Sequence, residues 1–314
     1  MLFTEPYAGS SPIINLINGT RTHLSVAVYY LSDNKILNAI KLAEARGVHV
    51  RVMVDEKPYG MNAQKVYDEA NFIKSTGAQF KWAPARFTSH GHEYTFYHAK
   101  YICNTHECEI GTANFDWSAF HKNREYFDIT SNVKVVGAIN SIFNSDWNRV
   151  HAPSWTHQVV VLSPGTSAGN LLATIDQPGR VLIESEEMGS YKNILYALAE
   201  KGPNAYLILP STISGTDMKN VDLLKSRGVH VRFMNASRRY MHAKLIVGQK
   251  IAYIGSENFT YTSLYRNREI GVILEGRRDL TTLTSQFIKD WSKSSPTARS
   301  GILNKVSGFF GRFG

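Results

Sequence analysis

The sequence predicts an α/β protein built from two copies of one unit, each a mixed sheet with helices on its faces. Two observations predict it. Four strings recur at one constant offset of 144 residues: HAK at 98 and 242, GTANF (111–115) with GSENF (255–259), NREY (123–126) with NREI (267–270), and SIFNSDW (141–147) with SQFIKDW (285–291). Within each copy, short β-branched runs alternate with segments of helical periodicity, which is how a sheet covered by helices reads. A chain of 314 residues is long enough for two units of about 150 residues, each with an adequate core.

The elements follow in order. LSVAVYYL (24–31) is a strand, Ser32 and Asp33 offer an N-cap, and Ile36, Leu37, Ile40 and Ala43 recur at helical spacing until Gly47. VHVRVMVD (48–55) is a buried strand, 62–76 a helix, and AQFKWA (78–83) a further strand. HAKYICN and CEIGTA form a strand pair around a tight turn, EYFDIT another strand, and 133–149 a closing helix. The second copy is aligned by setting 73–82 beside 224–233, 45–55 beside 200–210, and 12–18 beside 170–176. RGVHVR, at 46–51 and 227–232, is a decoy, because its offset of 181 would force a large insertion into one copy. The expected organisation is a first unit at 1–150, a linker at 151–158, a second unit at 159–295 and a tail at 296–314. In the tail, Ile302, Leu303, Val306, Phe309, Phe310 and Phe313 fall on one helical face, a pattern that suits peripheral contact with a membrane surface or, equally, packing on the protein itself or on an oligomeric neighbour.

With 35 basic and 26 acidic residues, the net charge of +9 favours anionic partners: nucleic acid, acidic lipid or phosphorylated small molecules. The start lacks the basic and apolar regions of a signal peptide, and no apolar run reaches about 18 residues, so the expectation is a soluble, cytoplasmic chain. Cys103 and Cys108 are then expected as two reduced thiols facing each other on a hairpin, with a metal site completed by His106 as the alternative. No HExxH, paired CxxC, GxxxxGK[ST] or GxGxxG string is present, so neither a metal nor a cofactor is expected.

His98 and Lys100, like His242 and Lys244, sit two apart on a strand and so point to one face. An imidazole beside an ammonium suits work on an anionic group. Gly111, Thr112 and Asn114, with counterparts Gly255, Ser256 and Asn258, end the next strand; glycine lets a ligand approach, and a hydroxyl and an amide can donate to phosphate oxygens. Glu125 and Glu269 each lie 27 residues after the histidine of their own copy, and a carboxylate on one ring nitrogen orients the other towards substrate. Folding alone has no need of His, Lys, Asn and Glu in register twice, since none is a natural core residue.

These residues resemble the phospholipase D superfamily, whose signature is HxKxxxxD followed by a glycine, a hydroxyl residue, an asparagine and a later acid. The resemblance covers nearly the whole chain. It implies two α/β halves about a pseudo-twofold axis and one site at their interface. It also implies a metal-free, two-step phosphodiester displacement through a phosphohistidine, with His98 as nucleophile and His242 as acid/base. Lys100, Lys244, Asn114 and Asn258 would hold the phosphate, with Thr112 and Ser256 as further substrate ligands. The aspartate is absent: its place is taken by Thr105 and Gln249, in hairpins one residue shorter than the family's usual spacing.

Three substrate readings follow. The first is phospholipid head-group hydrolysis or transphosphatidylation; the second is a nuclease, with Phe87, Tyr94, Phe96 and Tyr97 stacking on bases; the third is a non-catalytic phosphate-binding scaffold. The long loop 84–97 carries Arg86, His90, His92 and Glu93 as specificity residues. No obligatory protein partner is evident in the sequence.

Overall fold

A computed structural model describes residues 1–189 and 191–298. The first sheet contains β1 (Leu2–Glu5), β2 (His23–Val28), β3 (His49–Val54), β4 (Gln79–Trp82), β5 (Lys100–Cys103), β6 (Cys108–Gly111) and β7 (Asn123–Thr130), in the order β1-β7-β6-β5-β2-β3-β4. The second copy supplies β8 (Val161–Ser163), β9 (Val181–Ser185), β10 (Ala205–Pro210), β11 (His230–Met234), β12 (Tyr240–Met241), β13 (Lys244–Val247), β14 (Ala252–Gly255) and β15 (Glu269–Leu274). Its sheet runs β8-β15-β14-β13-β9-β10-β11, which repeats the first order strand for strand. In each, three strands are parallel and the rest antiparallel, so both sheets are mixed. RGVHVR belongs to β3, one strand in from the edge, in the first copy and to β11, an edge strand, in the second; the identical strings occupy different places.

The helices are α1 (Ser11–Gly19), α2 (Asn34–Ala45), α3 (Ala63–Ser75), α4 (Trp117–His121), α5 (Val133–Trp147), α6 (Ser167–Ile175), α7 (Lys192–Lys201), α8 (Thr216–Ser226), α9 (Tyr261–Tyr265) and α10 (Arg277–Lys293). Asp33 caps α2 by accepting from the backbone N–H groups of Lys35 and Ile36 at 2.9 Å each, and Ile36, Leu37, Ile40 and Ala43 form its buried stripe. Gly47, at φ +86°, reverses the chain after it, a conformation that costs a side chain with a Cβ. The residues expected as a linker carry a 3-10 turn at Ser154–Gln158.

Three cores result. The central one lies between the two sheets, where Tyr101, Ile110 and Tyr126 meet Leu245, Ile254 and Ile270, with α5 and α10 contributing Phe143 and Phe287. On the outer faces, α1, α2 and α4 cover the first sheet, and α6, α7 and α8 the second. The central core makes the two copies one body, and two buried ion pairs cross it: Arg124 to Asp290 at 2.7 Å and Arg268 to Asp146 at 2.9 Å. These are the same pair in each direction, since NRE supplies the arginine and the closing helix the aspartate.

Two expectations change here. Cys103 and Cys108 oppose each other in the β5–β6 ladder and are joined as a disulfide, not held as reduced thiols, so neither sulfur is available to a metal with His106. Adjacent hairpin strands bring the two side chains to bonding range, with the Cα atoms 4.1 Å apart. No helix among the described residues is long and apolar enough to cross a membrane. The expected amphipathic tail lies, beyond residue 298, outside the described residues.

Candidate functional site

Strand exchange builds the site. β12, which precedes the second HAK, leaves its own sheet and pairs in parallel with β7 of the first copy, Tyr240 beside Asn123 and Met241 beside Arg124. Its counterpart Tyr97 bridges Arg268, the His98 N–H donates to the Arg268 carbonyl at 2.9 Å, and the Arg268 N–H donates to the Phe96 carbonyl at 2.9 Å. Each histidine is therefore delivered to the NRE segment of the opposite copy.

The consequence is a crossed pairing. His98 Nδ1 lies 2.8 Å from Glu269 Oε2, and His242 Nδ1 lies 2.7 Å from Glu125 Oε1. Each glutamate lies at one ring nitrogen, but of the other copy's histidine and not its own. Glu125 also accepts from Thr112 Oγ1 at 2.5 Å and from Asn123 Nδ2 at 3.1 Å; Glu269 accepts from Ser263 Oγ at 2.7 Å and from Asn267 Nδ2 at 2.9 Å. Burial works to raise both carboxyls, yet the facing imidazole and these hydrogen bonds outweigh it and hold both below the ordinary value. An ionised carboxylate fixes each ring with its Nε2 turned away from the glutamate.

Both lysines are buried, and each donates to the carbonyl of its own histidine at 2.7 Å. Burial pushes Lys100 down to about 7, with Lys244 adding repulsion, and pushes His98 down to about 4 against the pull of Glu269. His98 is thus neutral at pH 7, with a lone pair available. Asn114 and Asn258 each keep a buried Oδ1 with no protein partner among the described residues, at equivalent positions after β6 and β14. Such atoms are costly unless something satisfies them.

Thr112 and Ser256, expected on phosphate oxygens, are engaged elsewhere: Thr112 on Glu125, and Ser256 on the backbone of Ile270. Gly111 and Gly255 do not make room for a ligand. A Cβ on Gly111 would strike the Phe127 ring, and one on Gly255 the Tyr253 hydroxyl and the Gly271 backbone, so both glycines serve strand packing. Thr105 and Gln249 are exposed in the hairpin turns, at the far end of the strands from the histidines. The family's missing aspartate would have belonged to the turn.

The loop 84–97 is also rearranged relative to expectation. Arg86 is committed to Asp146 and the Val150 carbonyl, both at 2.8 Å. Phe87 and Tyr97 are core residues, Phe87 lying under the Arg268 guanidinium, and neither can stack on a base. His90, His92 and Glu93 are exposed, whereas Tyr94 and Phe96 are half-buried. Beside His98 the chain instead places Tyr29, whose ring meets the imidazole edge-on at 4.8 Å and Phe96 at 5.8 Å. The most consequential residue that sequence reasoning missed is Glu186. Its Oε2 lies 2.8 Å from Lys244 Nζ and 3.4 Å from His242 Nε2, and these charges outweigh its burial and hold it at about 2.

The doubled α/β unit thus brings together two His-Lys pairs, each histidine backed by the other copy's glutamate. The profile described as "Cardiolipin synthase, PLD-like domain" matches residues 13–147 and 182–291, and the chain belongs to this phospholipase D-like family. Over 136 residues it is 29% identical to a cardiolipin synthase of Listeria welshimeri, covering 42% of this chain and 26% of that one. Over 125 residues it is 26% identical to the mitochondrial cardiolipin hydrolase of Canis lupus familiaris, covering 40% and 48%. The chain thus spans only a quarter to a half of the length of these curated relatives. The phosphatidylserine synthase structure from Haemophilus influenzae shares the fold, with a TM-score of 0.71 over 95% of this chain and 88% of that one at 11% identity.

Proposed function

We propose that the chain is a metal-independent phosphodiesterase that works through a phosphohistidine and acts on phospholipid head groups, by hydrolysis or by transfer to an acceptor alcohol. The observation that carries the reaction is the crossed pairing: two imidazoles, each oriented through Nδ1 by a buried glutamate, with both lysines beside them. One Nε2 attacks phosphorus and the P–O bond to the leaving alcohol breaks as the other imidazole gives that oxygen a proton. The second imidazole then takes a proton from water or an alcohol, whose oxygen displaces the first from phosphorus. Lys100, Lys244, Asn114 and Asn258 hold the non-bridging oxygens while charge shifts between them.

The lipid substrate is supported by the relatives named above and by the charge on the second copy's wall. Glu186 is ionised there, and burial together with its charge raises Asp217 to about 6 and Glu187 to about 8. A nucleic-acid backbone brings further phosphates on each side of the one that reacts, against the Glu186 carboxylate and, above about pH 6, that of Asp217, while Glu187 at about 8 is largely a neutral acid at pH 7. The nuclease reading keeps two observations in its favour, the net charge of +9 and the half-buried aromatics Tyr94 and Phe96 near His98. Incubation in EDTA with phosphatidylcholine or phosphatidylglycerol vesicles and, separately, with single- and double-stranded DNA decides between them. Head-group release from the vesicles is the expected result. Cleavage of DNA alone would overturn the lipid reading, and inertness towards every diester, an activated chromogenic one included, would overturn the reaction.

A further inference from the structure

The two copies are unequal at one position of the site. Val28 opposes Lys100 in one sheet and Ser185 opposes Lys244 in the other, so the next residues, Tyr29 and Glu186, are equivalent. Tyr29 presents an uncharged ring to His98 and Lys100, with Lys100 Nζ 5.4 Å from its centroid. Glu186 presents a carboxylate to His242 and Lys244. Its backbone N–H donates to the Ala243 carbonyl at 3.1 Å, which continues the strand pairing and fixes where the side chain begins.

We propose that Glu186 is a positioning residue that makes the two histidines chemically distinct: its carboxylate at His242 Nε2 assigns proton donation to His242 and leaves His98 as the nucleophile. The inference rests on the reaction proposed above. A group that must protonate a leaving alcohol has to carry its proton on the nitrogen that faces it, and the Glu186 carboxylate, 3.4 Å from His242 Nε2, is an acceptor for a proton on that nitrogen. His242 is faced by Glu125 from β7, Glu186 after β9, Tyr240 from β12 and Lys244 from β13, with His98 and Lys100 across the site. The nucleophile needs the opposite, an unprotonated Nε2. His98 has a carboxylate only at Nδ1, where it orients the ring, and burial keeps it neutral.

The steps balance. The His98 Nε2 lone pair forms the P–N bond, the P–O bond breaks, and the leaving oxygen takes the proton from His242 Nε2. The acceptor alcohol or water then returns a proton to His242, its oxygen forms the new P–O bond, and the P–N bond breaks to regenerate neutral His98.

The test uses leaving groups. Activity of the Glu186→Gln and Glu186→Asp full-length chains is measured as kcat/KM on the alkyl diester that the wild-type chain cleaves and on the same diester carrying a 4-nitrophenyl leaving group, which departs without protonation. The diester is phosphatidylcholine by the reading above, or a dinucleotide if DNA is the substrate. For Glu186→Gln, the loss on the alkyl diester is expected to exceed the loss on the activated one by about tenfold or more, with partial recovery in Glu186→Asp. Equal losses on both would overturn the inference and leave the phosphodiesterase reading standing. In parallel, His242→Asn and His98→Asn chains are quenched with the activated diester and the acid-labile adduct is mapped, which decides the point even if the Glu186 variants do not fold. The label is expected on His98 in His242→Asn; a label on His242 in His98→Asn overturns the assignment. A wild-type chain inert to every diester overturns the reaction and the inference together.

Discussion

The proposed reaction ties its working pH range to His98 and Lys100. His98 attacks only when unprotonated, and its value of about 4 puts that condition above pH 4; Lys100 holds phosphate only when charged, and its value of about 7 ends that condition above pH 7. A profile of kcat/KM against pH is therefore expected to rise through about pH 4 and fall above about pH 7, and an acidic limb near the free-histidine value of about 6.5 would contradict the burial argument. Glu269→Gln removes the charge that orients His98 and is expected to cost about 10²–10⁴-fold in kcat, by the precedent of tautomer-fixing carboxylates. The candidate site residues were legible because they are doubled. His, Lys, Asn and Glu in register twice have no folding explanation, whereas Glu186 has Tyr29 as its counterpart, so a search for doubled residues passes over it. The crossing of the glutamates was not legible either, because a spacing of 27 residues is the same whichever copy's histidine is served. The partner of Thr112 was not legible for a related reason: a hydroxyl at this place in the repeat suggests a phosphate ligand, and only the fold shows it donating to Glu125.

At the level of elements, the exchanged segments need the ion pairs that hold them. Asp146 is fully buried and accepts from both Arg86 and Arg268, so Asp146→Ala leaves Arg268 buried without its partner. Denaturant unfolding is expected to show a loss of about 3–5 kcal/mol, with activity falling too because His98 hangs from the Arg268 backbone. A loss under about 1 kcal/mol would show that the pair does not tie the copies. The β5–β6 hairpin makes a separate prediction: thiol titration of the unfolded, unreduced protein is expected to find no free cysteine, and Cys103→Ser to cost about 2 kcal/mol for so short a loop. The strand register was readable from the repeat, including the rejection of RGVHVR as an equivalence, because equivalent strands keep their place in the sheet order even where their letters diverge. The disulfide was not, because the sequence places Cys103 and Cys108 across a tight turn but carries no sign of their oxidation state.

For the whole molecule, the interior carries an unusual load of carboxylic acids. Burial raises Glu69 to about 9, and burial with the Glu269 charge raises Glu257 to about 8. The folded chain keeps these protons where the unfolded chain releases them. Their contribution to stability is therefore full below about pH 4.5 and is lost as pH rises, by about 1.4 kcal/mol per unit for each group until its folded value is passed. Urea unfolding at pH 6, 7 and 8 is expected to show this decline, and Glu69→Gln to flatten it by one proton; an unchanged slope would contradict the assignment. At this scale two copies of one α/β unit were legible from the repeat, and their packing about a pseudo-twofold axis came from the family resemblance; the exchange of β12 and the Tyr97 bridge was not legible, because it leaves no periodic trace in the sequence.

On the proposed function, the two copies make one site and not two. The direct measurement is kcat/KM for His98→Ala and His242→Ala, each alone, on the diester that the wild-type chain cleaves best. One composite site predicts that each substitution removes nearly all activity, by about 10³-fold or more, although the other copy's motif is intact. Retention of about half the activity in either variant would mean two independent sites and would contradict the account.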